Sequence, residues 1–202
     1  LKGKEGHDWL YGEAGDDSLS GGSGEDMLYG GSGADQLLGD RGNDELSGGS
    51  GDDILEGGSG EDILYGGSGD DVIVGDAQND ILTGGAGADT LTGGRGNDIF
   101  HYDNLGDTGD SITDFKSGKD ILTFNSSAFD ADYDPATGEL EASAFESLDG
   151  FDPAVPTSSA SFVFDQATEN LYYDESGSGE SYTLVANLEK GDPDLGDILM
   201  ID

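Results

Sequence analysis

Aspartate recurs at every ninth residue in the first half of this chain: Asp8, Asp17, Asp26, Asp35, Asp44, Asp53, Asp62, Asp71, Asp80, Asp89 and Asp98. Carboxylates at fixed spacing can do two kinds of chemistry. Paired in a cleft they transfer protons; stacked on one another they hold a cation. The aspartates belong to a longer pattern. Eleven nonapeptides run in unbroken register over residues 3–101, clearest in GGSGEDILY (57–65) and GGSGDDVIV (66–74). Position one is always Gly, position six always Asp, and position four is Gly in ten units and Gln78 in the other. Position eight is Leu in nine units, with Ile73 and Phe100 completing the set. A Gly-rich linker would not hold four positions through eleven units.

The elements that must position these carboxylates follow from the same spacing. Positions one to six read as a loop and positions seven to nine as a short strand, with position eight facing opposite to seven and nine. Two units make one 18-residue coil, so units n and n+2 stack and bring their position-six aspartates together. Unpaired, those carboxylates repel. A hard dication removes the conflict. Calcium accepts six to eight carboxylate and carbonyl oxygens in flexible geometry, whereas magnesium insists on an octahedron and keeps its waters. There is no Cys and only two His, so softer metals lack their usual ligands. The candidate ligands are the eleven aspartates and the backbone of Gly22, Gly24, Gly31, Gly33, Gly49, Gly51, Gly58, Gly60, Gly67 and Gly69. Residues 3–101 hold 22 acidic side chains against Lys4, Arg41 and Arg95. Nine n to n+2 gaps filled with dications would nearly cancel that excess.

The pattern Gly-Gly-x-Gly-x-Asp-x-apolar-x resembles the calcium-binding RTX (repeats-in-toxin) nonapeptide. The resemblance implies an all-β fold, a right-handed parallel β-roll with calcium in the turns and aliphatic side chains between two thin sheets. It covers half of the chain. Two units depart from the pattern. Unit one (GKEGHDWLY) carries Lys4 and Glu5, and unit nine (GDAQNDILT) carries Gln78, where a left-handed φ costs about 1 kcal/mol. The gaps around them are expected to be the weakest, leaving five to seven well-formed ion sites.

Composition sets the broader limits. The chain has 202 residues and a formal net charge of −38. That balance excludes nucleic acid and anionic membrane as default partners. No Cys means no disulfide framework, and no apolar run approaches a membrane-spanning length. The chain starts at Leu1 with no signal peptide and reads as the C-terminal fragment of a larger protein. Gly-rich, acidic repeats should not fold until calcium binds, so folding and binding are expected to be one event.

Residues 102–202 read as a second, capping region. Asp110-x-Ile-x-Asp-Phe-x-x-Gly-x-Asp120-x-Leu122 resembles the segment that follows the roll in RTX proteases and lipases, and makes Asp110 and Asp120 further candidate ligands. Phe115, Ile121 and Phe124 are expected to cover the end of the core. Residues 130–135 read as a turn, 139–148 as a short helix, and 149–160 as a loop. Residues 161–165 and 171–174 read as a hairpin, followed by an acidic Gly loop at 174–179, a strand at 182–188 and a last strand at 197–202. The order resembles the C-terminal cap of RTX proteins. The resemblance implies an uncleaved C-terminal secretion signal, a type I secretion apparatus and an upstream domain of the same chain as partners, and a secreted or cell-surface bacterial location.

Catalysis is not expected from this chain. His7 and His101 lie at opposite ends of the array, there is no His-Glu-x-x-His or Gly-x-Ser-x-Gly, and His101 at position nine reads as solvated. The function expected is a calcium-driven folding and secretion module. The alternatives are a structural or adhesive module of a surface protein and an accessory domain of a secreted hydrolase or epimerase. The outward side chains of the odd units are the more aromatic (Trp9, Tyr11, Met27, Tyr29, Ile63, Tyr65), and a cover over that face is expected from the C-terminal segment, a neighbouring domain or a second copy.

Overall fold

In a computed structural model, the chain is all-β and winds as a flattened coil. The structure describes residues 1–129, 131, 136–140, 144–148, 153, 160, 162–174, 182–189, 193 and 195–201. The repeat array supplies β1 (Lys2–Glu5), β2 (Trp9–Ala14), β3 (Ser18–Ser23), β4 (Met27–Ser32), β5 (Gln36–Arg41), β6 (Glu45–Ser50), β7 (Ile54–Ser59), β8 (Ile63–Ser68), β9 (Val72–Ala77), β10 (Ile81–Ala86), β11 (Thr90–Arg95) and β12 (Ile99–Tyr102). The chain continues into β13 (Asp110–Ile112), β14 (Ile121–Asn125), β15 (Phe145–Leu148), β16 (Phe162–Asp165), β17 (Asn170–Asp174), β18 (Tyr182–Leu188) and β19 (Ile198–Ile201). No helix among the described residues is long and apolar enough to cross a membrane.

Through β14 the strands alternate between two sheets and pair in parallel. The first sheet runs β1-β3-β5-β7-β9-β11-β13-β18-β17-β16-β15 and the second β19-β14-β12-β10-β8-β6-β4-β2. Register advances 18 residues per coil, as in Ser18↔Gln36 and Glu45↔Ile63. Strands β2 to β11 each span six residues, positions seven to three, which is longer than the three expected. The reason is that the first two glycines also pair with the next coil, as Gly49 does with Gly67, so only positions four to six turn.

Alternation then decides what faces inward. Leu19, Leu28, Leu37, Leu46, Leu55, Leu64, Ile73, Leu82, Leu91 and Phe100 form one buried file, and position-one glycines lie between them and the turns. A Cβ at Gly57 would stand 2.5 Å from Oδ2 of Asp62 and 3.0 Å from the Gly75 carbonyl oxygen, so that position has no room for a side chain. The turns require left-handed backbone. Gly60 has φ +150, and a Cβ there would overlap the Gly42 carbonyl. Gln78 occupies the same turn position with φ 87, which confirms the strain its place in the pattern implied.

Beyond the repeats the coil closes in aromatic side chains. Tyr102 stacks on Phe124 at 5.1 Å, Phe124 meets Phe162 at 4.8 Å, and Phe129 meets Tyr173 at 5.1 Å. Phe115 and Phe124 join this core, but Ile121 does not. It corresponds to position seven of a repeat and faces outward, while its neighbour Leu122 is buried. The 161–174 hairpin forms as β16 and β17, and β18 adds to it antiparallel. Residues 145–148 of the expected helix are instead strand β15, paired parallel with β16, because the β16 backbone offers an open edge. Residues 130, 132–135, 141–143, 149–152, 154–159 and 175–179 of the expected turn, helix, loop and acidic Gly loop lie outside the described residues.

Replacing Gln78 with Gly should relieve the left-handed strain. Thermal unfolding in calcium should show a gain of about 1 kcal/mol, a rise of a few degrees in Tm. Replacing Gly60 with Ala should lower Tm, because the new methyl collides with backbone.

Candidate metal centre

Two columns of aspartates run up the two turn edges. Along the odd units the backbone N–H of Asp8 donates to Oδ1 of Asp26, Asp26 to Asp44, Asp44 to Asp62, Asp62 to Asp80 and Asp80 to Asp98, at 2.7–3.1 Å. Along the even units the N–H of Asp17 donates to Oδ1 of Asp35, Asp35 to Asp53, Asp53 to Asp71 and Asp71 to Asp89, at 2.7–2.8 Å. Asp89 then donates to Asp110 at 3.0 Å and Asp98 to Asp120 at 3.1 Å. The two candidates beyond the array thus take the position-six place of a further coil, although the spacing has stretched to 21 and 22 residues. The ladder also passes through units one and nine, the two that depart from the consensus.

Asp120 is satisfied at both oxygens, its Oδ2 accepting the Lys116 N–H at 2.8 Å, but most of the ladder is satisfied at one oxygen only. Oδ2 of Asp8, Asp26, Asp35, Asp44, Asp53, Asp62, Asp71, Asp80, Asp89, Asp98 and Asp110 is buried with no hydrogen-bond donor. From Asp26 to Asp98 these side chains are at most 2 % exposed. Buried anionic oxygens without donors are costly unless they are protonated or meet a cation. Among the described residues no three acidic or histidine side chains converge on one point. A cation in a turn would therefore draw on few carboxylate oxygens and complete its shell from backbone carbonyls. That donor set suits calcium and not zinc. The glycine carbonyls are close at hand: a Cβ on Gly31 would overlap the Glu13 carbonyl and one on Gly49 the Gly31 carbonyl, because each position-two oxygen points at the next coil.

Electrostatics report the same conflict. Burial lifts the carboxyls of Asp44, Asp71 and Asp80 to about 7, with charge from the aspartates one coil away adding to it and the backbone hydrogen bond opposing it. Burial lifts Asp62 and Asp89 to about 6. Asp110 reaches about 8, through burial and then the charge of Asp89.

The end of β11 holds a built-in cation that sequence reading missed. Lys116 Nζ donates to the Gly94 carbonyl at 2.7 Å and lies 3.3 Å from Asp114, whose carboxylate accepts the N–H groups of Gly93 and Gly94 at 2.9 Å. Asp197, also missed, accepts Ser117 Oγ at 2.7 Å and the Gly118 N–H at 2.9 Å. The signal for Lys116 was present: it is one of only seven basic residues in the chain. Asp197 lies too far along the chain for any local pattern to connect it with residue 118.

His101 is not solvated as expected. It bonds Thr123 Oγ1 at 2.9 Å and Asp103 at 3.0 Å, and its side chain is 16 % exposed. Thr123 is only 6 % exposed, so its hydroxyl is not presented to a substrate, and the row serves to order β12 against β14.

Comparison with known proteins gives the class. The RTX calcium-binding nonapeptide repeat matches at four overlapping places, residues 2–37, 29–64, 38–73 and 65–100. The repeat array belongs to that family, a calcium-binding one. No curated protein matches the chain. Among solved structures, the chain is similar to the AlgE6R3 subunit of the mannuronan C5-epimerase of Azotobacter vinelandii, at 22 % identity over 93 % of this chain and 79 % of that one, with a TM-score of 0.32. At that TM-score the likeness carries no weight on fold or ligand.

The raised carboxyls fix a pH dependence. Without metal the folded roll binds more protons than the unfolded chain between about pH 4 and pH 7, so its stability is present in acid and is lost as pH rises through that window. In EDTA, the β signal in circular dichroism should therefore grow as pH falls from about 8 to about 5. With calcium present the signal should be flat over that range.

Proposed function

We propose that residues 3–101 are a calcium-driven folding module, with ions held in the turns between units n and n+2. The observation that carries this reading is the two columns of buried aspartates whose Oδ2 atoms lack donors. Each ion would neutralise stacked carboxylates and tie two coils together, supplying the attraction that a thin file of leucines does not. Asp110 and Asp120 would extend the two series, and residues 102–202 would act as a distinct capping region. The full set of nonapeptide gaps is nine. Five to seven ions, away from units one and nine, are the core of the set.

The consequence is a switch set by calcium. At low cytosolic calcium the carboxylates keep the chain open and exportable. Near millimolar calcium outside a bacterial cell, weak sites of roughly 10⁻⁴–10⁻³ M fill and the chain folds. The type I secretion apparatus and an upstream domain of the same chain are the partners this role requires.

Circular dichroism across a calcium titration tests the reading. Signal should rise cooperatively with calcium and collapse on adding EDTA at pH 7.5; a β signal unchanged by chelation would contradict it. Replacing Asp53 with Asn, which keeps the Oδ1 acceptor but removes the charge, should raise the calcium needed for half-folding several-fold. Replacing exposed Glu56 with Gln should leave that midpoint where it is.

A further inference from the structure

The odd-unit turn edge carries a groove whose walls lie outside the aspartate ladder. One wall is made by position-five side chains and the other by position-seven side chains, with buried Asp26 and Asp44 as the floor. A hollow of about 620 Å³ runs from Trp9 to Ile63, and a second of about 360 Å³ continues it to Ile99, sharing Asn43, Glu61 and Ile63. The groove therefore follows the roll axis across successive coils, about 4.8 Å apart. On the even-unit edge the corresponding side chains are Asp16, Ala34, Asp52, Asp70 and Ala88 at position five and Ser18, Gln36, Ile54, Val72 and Thr90 at position seven, with no glutamate or aromatic ring among them.

Three features define an occupant. Glu25, Glu45 and Glu61 sit on successive coils along the lining, and none is a member of the aspartate ladder. Among the described residues, no lysine or arginine pairs with them; His7 lies 3.9 Å from Glu25. At one end the indole of Trp9 is 66 % exposed, and Met27 and Ile63 supply apolar surface between the glutamates. Carboxylates alternating with an open aromatic face and aliphatic contacts fit guanidinium or ammonium groups on flexible stems. Among the described residues, the C-terminal part of the chain does not cover this side. It extends both sheets instead, leaving Trp9, Tyr11 and Tyr65 exposed.

We propose that this groove docks an extended, arginine- or lysine-bearing segment of a partner protein. Metal in the turns would neutralise the floor but leave Glu25, Glu45 and Glu61 charged, so docking and ion binding are compatible. The cationic side chains would lie between the glutamates, with one stacked on Trp9.

Trp9 is the only tryptophan in the chain, so its fluorescence reads the groove directly. The full chain, folded in calcium, is titrated with a hexa-arginine peptide at about 0.15 M salt, where diffuse surface attraction is largely screened. Trp9 emission should change saturably. The variant Glu25→Gln/Glu45→Gln/Glu61→Gln should bind about tenfold more weakly, while Glu13→Gln/Glu56→Gln/Glu146→Gln, which removes equal charge away from the groove, should stay within about twofold. Should the groove variant lose its β signal, the single exposed change Glu25→Gln must show the same ordering against Glu13→Gln. Equal weakening in both sets would mean a diffuse field and overturn the proposal. So would silence of Trp9, or a Trp9 response to a neutral oligosaccharide and not to the peptide.

Discussion

A carboxylate that is buried, bonded through one oxygen and bare at the other is the constraint on which this molecule turns. From Asp26 onward, each position-six aspartate accepts a backbone N–H from the coil before it. That bond sets the register of stacking, and it forces the second oxygen into a space with no donor. The position-one glycines follow from it, because any side chain would meet Oδ2. The thin leucine file follows too, since two sheets joined by such short turns can enclose only one large side chain per unit. Attraction across the turns must then come from elsewhere, and in the proposed function a hard cation supplies it.

At the C-terminal end, Asp110 and Asp120 keep the ladder going after the nonapeptides stop, and the core widens into Tyr102, Phe124, Phe129, Phe162 and Tyr173. Lys116 places a tethered ammonium against the Gly94 carbonyl at the end of β11. At the other end β1 and β2 each have a single neighbouring strand and Leu10 is only partly buried, so the first coil is the least enclosed.

The repeat half was legible because its period reports its geometry. Gly at one, Asp at six and Leu at eight gave the coil length, the buried file and both aspartate columns. Strand length was not legible, since glycine-rich positions one to three look like loop yet pair across coils. Ile121 was misplaced because apolar character alone was read there, whereas the period that sends Leu122 inward sends Ile121 out. The C-terminal half was harder for a plainer reason. Its contacts join residues some 80 positions apart, such as Gly118 with Asp197, and no local spacing encodes them. Residues 145–148 chose strand over helix because β16 offered an unpaired edge, a tertiary preference over a local one.

The central claim is that dications sit among the stacked aspartates, and anomalous scattering from a crystal grown in calcium tests it most directly. The account predicts anomalous peaks in the turns of both columns, about 2.3–2.6 Å from carboxylate oxygens of residues such as Asp53, Asp62, Asp71 and Asp80. Turns without peaks, with those carboxylates meeting only backbone N–H groups, would contradict it.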